Sequence, residues 1–110
     1  MKVITINVCG IRSSQKKGIF DWLSRSKADH ICMQETRALE DQIDNDNFIL
    51  KGYTRYMNIA VKKGYSGVAI YSKHKPSKII STFSKSIFEE EGRFISLEFE
   101  EYIVASIYFP

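Results

Sequence analysis

The sequence predicts a mixed α/β fold, and three patterns carry the prediction. Two short segments, Val3-Ile4-Thr5-Ile6 and His30-Ile31-Cys32-Met33, are almost continuously apolar, as strands buried on both faces are. Between them lies one amphipathic stretch at helical spacing, so the first third reads strand, helix, strand. From Tyr53 onward the apolar period is two and helical spacing disappears. The sum is an α/β domain built on a mixed β-sheet with a flanking helix.

Taken in order, the first strand delivers Asn7 and is followed by the turn residue Gly10. Ser13 and Ser14 are suited to cap a helix over 16–28. Ile19, Phe20 and Leu23 fall on one face of it with Trp22 at the margin, and both aromatics are expected in the core. Asp21 and Arg25 are spaced as an i,i+4 pair on the wet side. The helix ends near Ala28-Asp29, and the second strand then delivers Gln34-Glu35-Thr36-Arg37. Residues 38–52 are polar. Their Asp44-Asn45-Asp46-Asn47 run lacks the sixth-position glycine and twelfth-position glutamate of a calcium loop, so it reads as a loop or helix cap.

The remaining strands are expected over 53–60, 67–73, 78–83, 94–100 and 102–109, with turns at Lys63-Gly64, His74-Lys75-Pro76 and Glu91-Gly92. The run beginning Ile79-Ile80 fades into Ser and Thr, which suits a sheet edge. Ile95, Leu97 and Phe99 alternate with Ser96 and Glu98, giving one dry and one wet face. Short spacings make this half an antiparallel meander.

With 110 residues, 44% hydrophobic and 13% aromatic, the chain is one small domain or part of a larger one, with enough apolar content for a packed core. No apolar run reaches the roughly 20 residues of a membrane span, and Met1-Lys2-Val3-Ile4 leads straight into a strand without signal-peptide character. Cys9 and Cys32 read as reduced thiols, which together with the N-terminus points to a cytoplasmic protein with no membrane partner. Two histidines without close Cys/His spacing argue against zinc.

The net charge of +3 is unevenly spread: residues 1–88 hold 15 Lys/Arg against seven Asp/Glu, and residues 89–110 hold one against six. No acidic residue occurs between Asn47 and Phe88, where eight basic residues from Lys51 to Lys85 interleave with Tyr53, Tyr56, Tyr65 and Tyr71. Basic groups with aromatic neighbours suit nucleic acid, although a solvated basic surface has the same composition.

Chemistry concentrates at the two strand ends. Asn7 and Glu35 offer a carboxamide and a carboxylate on neighbouring strands, oxygen donors of the kind Mg²⁺ prefers. Each has a plainer reading: Asn7 as a turn former before Gly10, and Glu35 as a salt-bridge partner of Arg37.

Five motifs then occur in order: Asn7-Val8-Cys9-Gly10-Ile11-Arg12, Gln34-Glu35-Thr36-Arg37, Ser66-Gly67-Val68-Ala69-Ile70-Tyr71-Ser72-Lys73, Glu91-Gly92-Arg93 and Ile107-Tyr108-Phe109-Pro110. The series resembles the N-terminal portion of exodeoxyribonuclease III and the related AP endonucleases of the endonuclease/exonuclease/phosphatase superfamily. The resemblance implies a DNase I-like, four-layer α/β sandwich and Mg²⁺-dependent hydrolysis of phosphodiesters (with Mn²⁺ as an alternative ion). The implied substrate is double-stranded DNA carrying abasic sites or 3′ termini, acted on by a monomer. By the same resemblance Glu35 is the principal metal ligand, Asn7 holds the metal or a neighbouring carboxylate, and Tyr108 orients the scissile phosphate. Arg37, Lys62 and Lys63 suit phosphate, and Gly67 allows close backbone approach. Arg93 serves equally well to neutralise Glu89, Glu90 and Glu91.

Two departures stand out. Cys9 occupies a usual Asn/Asp position, and thiol is a poor Mg²⁺ ligand. The family's later Gly-Asp-x-Asn and Ser-Asp-His motifs are absent, since His30 and His74 lie in neither. The chain therefore reads as a truncated fragment, inactive alone, with one sheet whose inner face is uncovered. Two rivals remain: a non-catalytic remnant binding nucleic acid through 51–85, and a lipid or inositol phosphodiesterase of the same superfamily.

Overall fold

The computed structural model describes residues 1–60, 64–81 and 91–109. Seven strands are present among them: β1 (Val3–Asn7), β2 (His30–Gln34), β3 (Thr54–Asn58), β4 (Val68–Ser72), β5 (Lys78–Ile80), β6 (Phe94–Glu98) and β7 (Ile103–Ile107). Each matches an expected strand: β1 and β2 run one residue longer than read, and β3, β4, β6 and β7 are two or three residues shorter. Residues 82 and 83 of the expected fifth strand, together with Lys62 and Lys63, lie outside the described residues.

The strand–helix–strand start holds, with β1 and β2 parallel and Asn7 opposite Gln34. The helix differs from expectation. It begins earlier and is two segments, α1 (Ile11–Lys16) and α2 (Ile19–Ser26), separated at Gly18, where the backbone turns left-handed. Gly10, not Ser13 or Ser14, takes the N-cap position, and both serines lie inside α1. Phe20 and Leu23 of α2 are buried as expected. Trp22 is not: it is 51% exposed, because a short helix packed on a sheet buries only a narrow apolar stripe and Trp22 falls outside it.

β1, β2, β4 and β3 form one four-stranded sheet in that order, with β4 antiparallel to both neighbours, and β5, β6 and β7 form a second antiparallel sheet. Alternation along β2 and β4 divides the core between the two faces of the first sheet. Ile31, Met33, Ala69 and Tyr71 face the helices and the loop carrying Ile43 and Phe48. Cys32, Val68 and Ile70 face the second sheet and meet Ile95, Leu97 and Val104. The expectation of an uncovered inner face is thereby corrected, because β5–β7 supply enough of a second sheet to bury it. β1 is also corrected: it is an edge strand with Val3, Thr5 and Asn7 exposed, so its apolar run is not buried on both faces. β5 is an edge, as read. Ser96, expected on a wet face, is buried. The Asp44–Asn47 run caps a 3₁₀ turn over Asp46–Phe48, with Asn45 Oδ1 accepting from the Asn47 amide at 3.1 Å.

Candidate metal and phosphate site

β1 and β2 are parallel, so both deliver their C-terminal residues to the same end of the sheet, and β7 brings Tyr108 there from the second sheet. The loops at this end are tightly wound. Of the five non-glycine residues with positive φ among those described, Cys9, Glu35, Arg37 and Ser66 lie here, and only Lys27 lies elsewhere. Strained conformations of this kind persist where the surroundings enforce them, and they gather at functional sites. Here the enforcing bonds run from Gly10 N to Glu35 O (2.7 Å), Ile11 N to Thr36 O (2.9 Å), Thr36 N to Gly67 O (3.1 Å) and Arg37 N to Ser66 O (2.9 Å).

Glu35 is the centre of this cluster. Its side chain is only 13% exposed, and its Oε2 accepts from Arg37 Nη2 at 2.7 Å. Its carboxyl is held below the usual carboxylate range, first by the Tyr108 hydroxyl, then by the Asn7 side chain, with Arg37 and the Cys9 thiol adding to the effect. Reciprocally, the neighbouring carboxylate pushes the Tyr108 phenol above its ordinary value, so at neutral pH the site holds an ionised carboxylate beside a protonated hydroxyl. The plainer readings of both donors are also realised: Glu35 pairs with Arg37, and Asn7 Oδ1 accepts from the Cys9 amide at 3.0 Å and the Cys9 thiol at 3.3 Å.

Glu35 and Asn7 are the hard oxygen donors here. Among the described residues no set of three His, Cys, Asp or Glu side chains converges as a metal site. A two-oxygen partial shell fits Mg²⁺, which keeps several waters and is commonly held by one or two protein carboxyl groups. Cys9 contributes a thiol to the cluster but no hard donor.

The other expected residues divide. Arg37 is here, half exposed, on a pocket shared with Glu35, Tyr65, Ser66, Arg93 and Tyr108. Gly67, expected to admit a ligand's approach, is buried instead, and what comes close to it is the chain's own Thr36 and Arg37. Arg93 pairs with Glu91 and places its guanidinium 5.5 Å from the centre of the Tyr108 ring.

Among the described residues, the tyrosine-bearing basic stretch does not form one surface. Tyr71 is buried with its hydroxyl on Phe48 O, Tyr53 donates to Ala28 O, and Tyr56 packs between the sheets. Arg55 donates to Ile43 O. Lys73, Lys75 and Lys78 follow β4, whose antiparallel run carries them to the end of the sheet opposite Glu35. Among the described residues two further basic groups stand near the site that the sequence reading gave no role: Arg12 and Lys16 of α1, which line a groove with Gly10, Ser13 and Arg37. Their i,i+4 spacing straight after the Gly10 turn was the available signal.

Comparison with known proteins agrees with this geometry. Residues 4–108 match the model of the Endonuclease/Exonuclease/phosphatase family. The chain is 41% identical over its full length to an exodeoxyribonuclease of Bacillus subtilis (strain 168), of which it covers 43%. It is 32% identical to a DNA-(apurinic or apyrimidinic site) endonuclease of Dictyostelium discoideum, covering 30% of that protein. Among solved structures, an AP endonuclease from Archaeoglobus fulgidus superposes over the whole chain with a TM-score of 0.82 and 31% identity, 42% of that chain being covered. The chain thus spans less than half the length of these relatives. With the two-sheet α/β architecture, the strand-end carboxylate and a family match over nearly its whole length, the chain belongs to the Endonuclease/Exonuclease/phosphatase family.

Proposed function

We propose that this chain is the metal- and phosphate-holding part of a Mg²⁺-dependent DNA repair nuclease that hydrolyses phosphodiesters of double-stranded DNA at abasic sites or 3′ termini. The observation that carries this is the ionised Glu35 set between Asn7, Arg37 and Tyr108 at the end of two parallel strands. Asn7 and Glu35 would hold the ion. Bound there, Mg²⁺ supplies a Lewis acid for a phosphoryl oxygen and for the leaving 3′ oxygen.

The rest belongs to the chain's own side chains. Tyr108, kept protonated beside Glu35, donates its hydrogen to a phosphate oxygen and orients the group. Arg37 stands on the same pocket, and its half-exposed guanidinium can exchange Glu35 for phosphate. Arg12 and Lys16 extend the positive surface along the neighbouring groove, where a duplex backbone would add contacts. The relatives that bear DNA repair names support DNA over lipid or inositol phosphates.

Both histidines of the sequence lie at the far end of the first sheet, around the start of β2. No imidazole therefore stands near Glu35 to activate water, and the 110 residues alone bind metal and duplex without cleaving. The test has two arms. The chain by itself is expected to leave a Mg²⁺-supplemented abasic duplex intact; incision that disappears in Glu35→Ala would remove the claim of inactivity. Exchanged for the matching segment of the Bacillus relative, it is expected to support incision that is lost with EDTA or in Glu35→Gln. A folded chimera that leaves the duplex intact would overturn the nuclease reading.

A further inference from the structure

We infer that Gln34 is a positioning residue that sets the separation of Glu35 and Tyr108 across the two sheets; this rests on the reading of those two residues just given. Glu35 and Tyr108 belong to different sheets, so nothing in either sheet's own hydrogen-bond ladder fixes the distance between them. Gln34 supplies a link at this layer, alongside the bonds from Ser106 Oγ to Met33 O and from Gly67 N to Gly92 O. It precedes Glu35 at the end of β2, and its Nε2 donates to Ser106 Oγ of β7 at 3.0 Å and to Thr5 Oγ1 of β1 at 3.1 Å. Ser106 is buried, and its hydroxyl hydrogen is committed to Met33 O at 2.8 Å, which leaves its lone pairs for the Gln34 amide. One amide group thereby joins β1, β2 and β7 directly behind the cluster.

The sequence spacing makes the link specific. Ser106 stands two residues before Tyr108, and Gln34 one residue before the left-handed turn at Glu35. The Gln34 main chain is held as well, its carbonyl accepting from Val8 N at 3.0 Å. Polar bonds cross elsewhere, from Tyr102 to His30 and from Asn58 to Phe94, but much of the contact below this layer is apolar, through Cys32, Val68, Ile70, Leu97 and Val104, and such contacts tolerate sliding. A directed hydrogen bond from the half-buried Gln34 amide to the buried Ser106 hydroxyl does not.

The experiment is NMR of the 110-residue chain with labelled tyrosine. The expected wild-type result is a set of NOEs between the Tyr108 ring and the Glu35 methylenes. Gln34→Leu and Ser106→Ala should each weaken them severalfold while leaving the Tyr71 to Phe20 NOEs of the other face unchanged, and Ser106→Thr, which keeps the hydroxyl, should retain them. A role in stability alone lowers the melting temperature and leaves these NOEs in place. Unchanged Glu35–Tyr108 NOEs in Ser106→Ala would overturn the inference, and this variant serves should Gln34→Leu fail to fold. Mn²⁺ titration separates the two readings. Absence of Tyr108 broadening in the wild type would count against metal at Glu35, and the metal-free NOEs would still decide the role of Gln34.

Discussion

A methyl group added at Gly67 would sit 2.1 Å from the Thr36 hydroxyl oxygen. That contact is why the Ser66-Gly67 turn can lie against the Thr36-Arg37 backbone and hold the loop that presents Glu35. The residue also has φ +91°, where a side chain is strained whatever the space. Gly67→Ala is therefore expected to cost about 2–4 kcal/mol, strain and overpacking together, in the urea midpoint. Thr36→Ala in the same chain should recover part of this by removing the clashing oxygen. A fully additive double mutant would show that the two side chains do not meet.

Gly92 poses the same question with a different answer. A Cβ there would meet Ile59 C and Ala60 N at 2.5 Å, which are backbone atoms that no side-chain truncation removes. Gly92→Ala should destabilise by an amount similar to Gly67→Ala, about 2–4 kcal/mol, without rescue from any neighbouring side-chain substitution. Chemical denaturation of the two variants side by side tests the contrast.

His30 gives the fold a pH dependence whose sign follows from its partners. Ser72 Oγ spends its own hydrogen on His74 O, so it accepts from His30 Nδ1–H at 3.0 Å, and His30 Nε2 accepts from the Tyr102 hydroxyl at 2.9 Å. This satisfies a neutral ring. Burial first, then nearby His74, lower its pKa from 6.5, against a smaller opposing effect of Asp29. The unfolded chain thus binds the proton more readily, and stability should fall as pH drops below about 6.5, levelling once the folded ring titrates. Tyr102→Phe leaves Nε2 without its donor and should cost about 1–3 kcal/mol at pH 7.5, and less at pH 5.5. Urea midpoints at the two pH values provide the check; an equal loss at both would refute the assignment.

A second acid step belongs to Asp29. Its carboxyl is held at about 2, first by the hydrogen bond from His74 and then by that from the Lys2 amide. Stability from this group is present above the ordinary carboxylate value of 3.8 and is lost as pH falls towards 2. His74→Ala should shift that loss to higher pH, as read by circular dichroism during acid titration.

The two cysteines should differ in reactivity. Cys9 is exposed at the candidate site, whereas Cys32 is buried between the sheets with its thiol pushed up to about 11. One equivalent of a thiol reagent is expected to react with the native chain and a second only on unfolding. Rapid reaction of both would contradict the packing around Cys32.

What could be read from the sequence was local. Seven strands followed from apolar period and turn residues, and the loop or cap role of the Asp44–Asn47 run followed from its side-chain chemistry, because these features are set by neighbours a few residues apart. Asn7, Glu35 and Tyr108 were legible through motif order, as was the family. Tertiary structure decided what pairs with what. It made β1 an edge, split the helix at Gly18 and left Trp22 in solvent. It scattered the tyrosines of 51–85, since a basic, aromatic composition says nothing of which side chain the core will take. Above all it joined Gln34 to Ser106, 72 residues away, through a hydrogen bond that exists only once two sheets have stacked. Spacing along a chain encodes the faces of a strand. Distance between sheets is encoded by packing volume and the few directed bonds that cross it, and these become visible only in the folded molecule.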